Sequence, residues 1–179
     1  MMDFLFENTV TLTIIQLFAG CFGSIAFSIL YGVPRKYYAV GGLVGGIGWA
    51  AYFVLDYLDL ASVTVATFIA TLLVAFLSRL CAVWQKCPVT IFLIAGIFPL
   101  VPGAGIYWTV YYLVMGNQAE AGARGFTAFK LVMAIVIGIV MVLDIPNKFF
   151  RMMSKEKREE DRRGRVGDSA TGTWPFSPA

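Results

Sequence analysis

The sequence predicts an all-α integral membrane protein with about five transmembrane helices, the fourth broken at Pro99–Gly103, N-terminus outside and C-terminus inside. Three observations carry this. Of 179 residues, 59% are hydrophobic and 14% charged, with a mean hydropathy of +0.76, too apolar for a soluble domain with a polar surface. The apolar residues fall into five runs, each long enough to cross about 30 Å of hydrocarbon. The charges between runs alternate in sign, as expected when short cytoplasmic loops collect Lys and Arg.

Span one lies in the 27 uncharged residues between Glu7 and Arg35. Asp3 and Glu7 stand where a secretory signal carries Lys or Arg, so this run reads as a retained span. Spans two and three are runs of 19 residues each, between Lys36 and Asp56 and between Asp59 and Arg79. Span four is the 33-residue run between Lys86 and Glu120, and span five is residues 125–150, interrupted by Lys130, Asp144 and Lys148. Arg35 and Lys36, then Asp56 and Asp59, then Arg79 and Lys86 mark loops on alternating sides. "GNQAEAGARG" reads as a balanced fourth connection. Splitting the 33-residue run into a re-entrant hairpin or two short spans would place the basic stretch "KFFRMMSKEKR" outside, against the charge rule. Residues 1–153 thus form the membrane domain. Residues 154–179, charged and then rich in Gly, Ser, Thr and Pro, read as a flexible cytoplasmic tail whose basic residues rest on lipid headgroups.

Composition also excludes functions. There is no histidine, and Cys21, Cys81 and Cys87 form no CxxC pair, so no metal site and no cofactor is expected. The basic residues are scattered in short clusters, which argues against nucleic acid. No pair of carboxylates, and no nucleophile with a base, lies at membrane depth, so no catalytic residue is assigned and an enzyme is not expected.

In span two, Gly41 with Gly45 and Gly42 with Gly46 form GxxxG pairs on one helix face, suited to close backbone approach. Gly20, Gly23, Ser24 and Ser28 of span one offer a small-residue face to receive them.

Span four holds "IFPLVPGAGIYWTVYYL", residues 97–113. Pro99 cannot donate to the Ala95 carbonyl, nor Pro102 to that of Phe98, so a continuous helix would orphan two acceptors in hydrocarbon. Counted from Pro88, the break falls about 16 Å along, near the bilayer middle. A half-helix starting at Gly103 would aim its positive end and the free N–H groups of Ala104, Gly105 and Ile106 at the break. Two readings stand: a kink that only shapes packing, and a substrate site formed by Pro99, Pro102, Gly103, Ala104, Gly105 and Tyr107, as discontinuous helices form in secondary transporters. Lys130 and Asp144 are the deepest ionisable residues. Either they snorkel to opposite surfaces, or Lys130 binds substrate and Asp144 couples protons.

The order "YGVPRKYYAVGGLVGGIGWAAYFVL", then "CPVTIFLIAGIFPLVPGAGIYWTVYYLVMG", then a last span closing in "LDIP" resembles the small, YjjB-like half of the threonine/serine exporter (ThrE) family over about residues 10–150. Its most specific part is the P-x-x-P-G-x-x-x-Y core, here Pro99, Pro102, Gly103 and Tyr107. The resemblance implies a multi-pass cell-membrane subunit that works in an oligomer with a larger YjjP-like partner. It further implies export of small carboxylate-bearing metabolites, either threonine and serine or succinate-like dicarboxylates. The alternative is a structural or assembly subunit with no substrate site of its own.

Overall fold

The structure, a computed structural model, describes residues 2–145, with side chains from residue 9 onward. The expected tail and the expected domain limit at residue 153 lie outside the described residues. Six helices follow in order: α1 (Met2–Leu30), α2 (Tyr38–Tyr57), α3 (Val63–Gln85), α4 (Thr90–Ile97), α5 (Gly103–Val114) and α6 (Gln118–Leu143). Among the described residues, four are long and apolar enough to cross a membrane, and α4 and α5, a pair bent by 53° at a short break, bring the number to five when counted as one broken span. The all-helical fold, with its helix interrupted at the prolines of the fourth apolar run, is the one the sequence predicts.

Small residues let α2 sit in the middle of the bundle. A Cβ on Gly42 would lie 2.7 Å from Ile25 of α1, and one on Gly46 would lie 2.8 Å from the Leu17 carbonyl. The other glycine row faces Ser24 and Ser28 of α1 and the α4 residues Phe92 and Gly96. Gly20 also meets α2, at Trp49 and Gly46, whereas Gly23 faces open space. Lipid supplies no hydrophobic drive for helix association, so this close approach gains dispersion contact that larger side chains would forbid. Because the Gly46 contact is with backbone, Gly46→Ala forces the helices apart. The expected loss is about 1–3 kcal/mol, the usual cost of overpacking, despite the better helix propensity of Ala. Heating the detergent-solubilised protein and following its monodisperse fraction measures it.

Val44, Ala70, Val74, Leu93 and Ile97 pack where α2, α3 and α4 meet, joined by Ile135 and Val142 of α6. The close approach of α6 to α3 is set by Gly138, whose Cβ would lie 3.0 Å from Thr71.

Two loops expected from their charges are helical instead. Arg79 lies inside α3 and is buried, its guanidinium donating to the carbonyl oxygens of Val142 and, at 2.8 Å, Leu143. Those carbonyls belong to the last turn of α6, which has no intrahelical donors left and whose negative dipole end favours a cation. Arg79→Gln takes the charged donor from both carbonyls and leaves Val142 O with backbone donors such as the Ile145 N–H at 3.3 Å; it is expected to cost about 2 kcal/mol, read as an earlier thermal loss of folded protein.

The second is "GNQAEAGARG", of which all but the first two residues are helix. Gly116, at φ +75°, ends α5: its N–H bonds Leu113 O at 3.2 Å, and the Asn117 N–H bonds Tyr112 O at 2.9 Å. This is the paired closing bond of a left-handed helix C-cap. Asn117 then caps α6 by accepting from the Glu120 N–H at 3.3 Å. The helix therefore starts about two turns earlier than the charge pattern suggests.

Candidate functional site

Pro99 and Pro102 end α4 as the sequence requires. After Ile97 the chain makes one 3-10 turn, Phe98–Leu100, extends at Val101, and restarts as α5 with Pro102 as the N-cap. The backbone is better satisfied here than expected. Phe98 O, predicted to be an orphan, accepts from Val101 N at 3.2 Å because the tighter turn brings a donor one residue beyond Leu100. Ala95 is buried by surrounding protein, and from the α1 side the Phe27 ring stacks on Phe98.

At the start of α5 the Ile106 N–H, expected to be free, donates to Pro102 O at 3.0 Å, and the Gly103 N–H to Val101 O at 2.6 Å. Ala104 and Gly105 occupy the second and third helical positions, where N–H groups have no intrahelical acceptor, and no side chain caps them. These two donors and the positive end of the dipole face the break.

The break forms one wall of a cavity of about 500 Å³. Pro99–Gly105 line it together with Trp49 and Tyr52 of α2, Thr67 of α3, and Ala123, Arg124, Thr127, Ala128 and Leu131 of α6. Trp49 is oriented by its indole N–H, which donates to Gln16 Oε1 at 2.8 Å, and its ring stacks against Tyr52 at 5.3 Å. The Thr67 and Thr127 hydroxyls donate to the carbonyls of Val63 and Ala123, so toward the cavity they act as acceptors.

Arg124 is the only charged residue in this lining. Its Nε lies 3.9 Å from Glu120 Oε2, with the two side chains 54% and 52% exposed. A half-solvated i,i+4 pair of this length contributes only about 0.3–0.5 kcal/mol, so the guanidinium exchanges partners at little cost. With no acid in the lining, a cation at α6 and two N–H groups without intrahelical acceptors at α5 give the cavity a charge and donor pattern that suits an anion. Sequence reasoning missed Arg124, having counted it as a loop charge.

The other expected residues fall elsewhere. Tyr107 is 62% exposed and stacks with Tyr111, outside the cavity lining. Lys130 projects to a different groove, with its ammonium 5.0 Å from the centre of the Phe126 ring. Asp144 is the C-cap of α6, 13 residues or about 20 Å along the helix from Leu131. Among the described residues, no three Cys, Asp, Glu or His side chains gather as metal ligands.

The family model described as "Threonine/Serine exporter, ThrE" matches residues 16–145, a stretch that contains the whole break and every wall of the cavity. No curated protein and no solved structure matches the chain.

Proposed function

The chain belongs to the threonine/serine exporter (ThrE) family, a family of membrane transporters and not of enzymes, and from that premise we propose that the cavity at the broken span is its substrate site. In this reading the chain is the smaller membrane subunit of a two-component exporter in the cell membrane. It works with a larger YjjP-like partner on threonine, serine or a succinate-like dicarboxylate. The observation that carries the proposal is the convergence of Arg124 with the Ala104 and Gly105 N–H groups on one cavity without a lining acid. A substrate carboxylate accepts from the two N–H groups and the guanidinium. The hydroxyl or ammonium of a small amino acid has the Thr67 and Thr127 oxygens as acceptors, and a second carboxylate has the Tyr52 hydroxyl as a donor, within the same walls.

The charge rule sets Arg35, Lys36 and Lys86 inside and Asp56, Asp59 and Glu120 outside. Trp49, Tyr52, Thr67 and Arg124 then belong to the outer half of the bundle, and the cavity is an outward-facing chamber. On the inner side, the Arg79 bonds to the end of α6 hold α3 and α6 together. Export would alternate this closure with its opening.

The test is release of labelled threonine, serine and succinate from loaded cells carrying this chain, a YjjP-like partner, or both. Release that requires both chains supports the proposal. Release by the partner alone, at the same rate, assigns this chain the role of an assembly subunit.

A further inference from the structure

Trp49 lines the cavity at the break, and the groups that hold it lie on α1. A Cβ on Gly20 would stand 2.8 Å from the Trp49 Cβ, so the base of the side chain rests against α1 at that glycine. The indole N–H donates to Gln16 Oε1 at 2.8 Å. Gln16 and Gly20 are four residues apart, which puts them on one face of α1. The indole is laid along that face and held at both ends, with the Tyr52 ring stacked on it at 5.3 Å between centroids.

Among the described residues, none of α1 lines the cavity, so the bond to Gln16 draws the indole N–H out of it. An indole N–H turned inward would donate to a carboxylate. With that donor turned away, the α2 wall consists of two aromatic rings and the Tyr52 hydroxyl. The face of such a ring is electronegative, attracting an ammonium and repelling a carboxylate. Arg124 and the Ala104 and Gly105 N–H groups serve one carboxylate of an amino acid or of a dicarboxylate alike. The two substrates therefore differ at what their other charged group meets on α2.

We propose that Gln16 is a positioning residue that sets substrate preference: by holding the Trp49 N–H outside the cavity, it makes the α2 wall favour an ammonium over a second carboxylate. The inference rests on the cavity being the substrate site. Gln16 touches no substrate and acts through the direction of the Trp49 ring.

Competition binding of labelled threonine, serine and succinate to the complex of the full-length chain with its YjjP-like partner tests this. Wild type is expected to bind threonine or serine more tightly than succinate, and tighter binding of succinate overturns the proposal. Gln16→Met, similar in length but without a strong acceptor, frees the N–H to turn inward. It is expected to shift the threonine-to-succinate affinity ratio about 10-fold toward succinate, the effect of one hydrogen bond to a carboxylate. Trp49→Phe, which has a ring but no N–H, is expected to restore the ratio when combined with Gln16→Met. Trp49→Leu is expected to weaken threonine and serine about 5-fold and leave succinate unchanged, and it carries the test should Gln16→Met fail to fold. An unchanged ratio in Gln16→Met and Trp49→Leu overturns the proposal. So does an equal loss for all three substrates in Gln16→Met that Trp49→Phe does not repair, the mark of a merely structural residue. Binding that survives Gly103→Leu removes the cavity as the site, and this proposal with it; binding abolished by Gly103→Leu but with the ratio indifferent to Gln16 overturns this proposal alone.

Discussion

Replacing Arg124 by Gln lowers export about 10- to 100-fold at limiting substrate while leaving the amount of folded protein unchanged. The magnitude follows from a hydrogen bond to a charged partner, about 1.5–3 kcal/mol, at about 1.4 kcal/mol for each factor of ten in affinity. The fold is spared because what Arg124 gives up internally is a half-exposed pair with Glu120 at 3.9 Å, worth a few tenths of a kcal/mol. Arg124→Lys keeps the charge but not the planar fork, and is expected to recover only part of the rate. The loss should appear as a raised substrate requirement, so the variants are compared across a range of internal substrate concentrations.

Gly103→Leu has a larger effect, reducing export to the level of cells without the chain. A Cβ at Gly103 meets no heavy atom within 4 Å, since the position borders the cavity and not a neighbouring helix. The added side chain thus occupies space otherwise open to substrate, directly before the Ala104 and Gly105 N–H groups. Helix propensity favours Leu over Gly by up to about 1 kcal/mol, so protein levels and thermal stability are expected to hold. Gly105 makes the useful contrast: its Cβ would lie 3.4 Å from Ala128, so a Leu there also disturbs the packing of α5 on α6, and both stability and export fall.

The spans and the break were legible in the sequence for a common reason: each is imposed by local chemistry. Proline removes a donor whatever surrounds it, and a run of 19 or more uncharged residues has few other places to go. What was not legible depends on partners distant in the chain. Arg79 reads as a loop charge because its acceptors, Val142 and Leu143, are more than 60 residues away. Only the assembled bundle reveals that the end of one helix satisfies a cation buried in another.

Arg124 is a different case, because the signal was present and charge outweighed it. Gly116–Asn117 is a helix-end glycine followed by a capping residue, and Asn117-x-x-Glu120 is a helix-start pattern. With α6 begun at Gln118, residues 124, 127, 128 and 131 fall at the three- and four-residue spacing of one face. Lys130, six residues from Arg124, turns about 120° away from it, which is why the structure places it on the α3 groove and not at the break. Tyr107 was assigned to the site by nearness in sequence, and the direction of its side chain along α5 carries it out among the other aromatic residues.

Equilibrium binding of labelled threonine, serine and succinate to the purified complex of this chain and its partner tests the central claim most directly, with wild type set beside Gly103→Leu. The account predicts saturable binding of at least one of these by the wild type, and none by Gly103→Leu at equal folded protein. Equal binding by the two proteins would contradict it, and would leave the broken helix as a feature of packing alone.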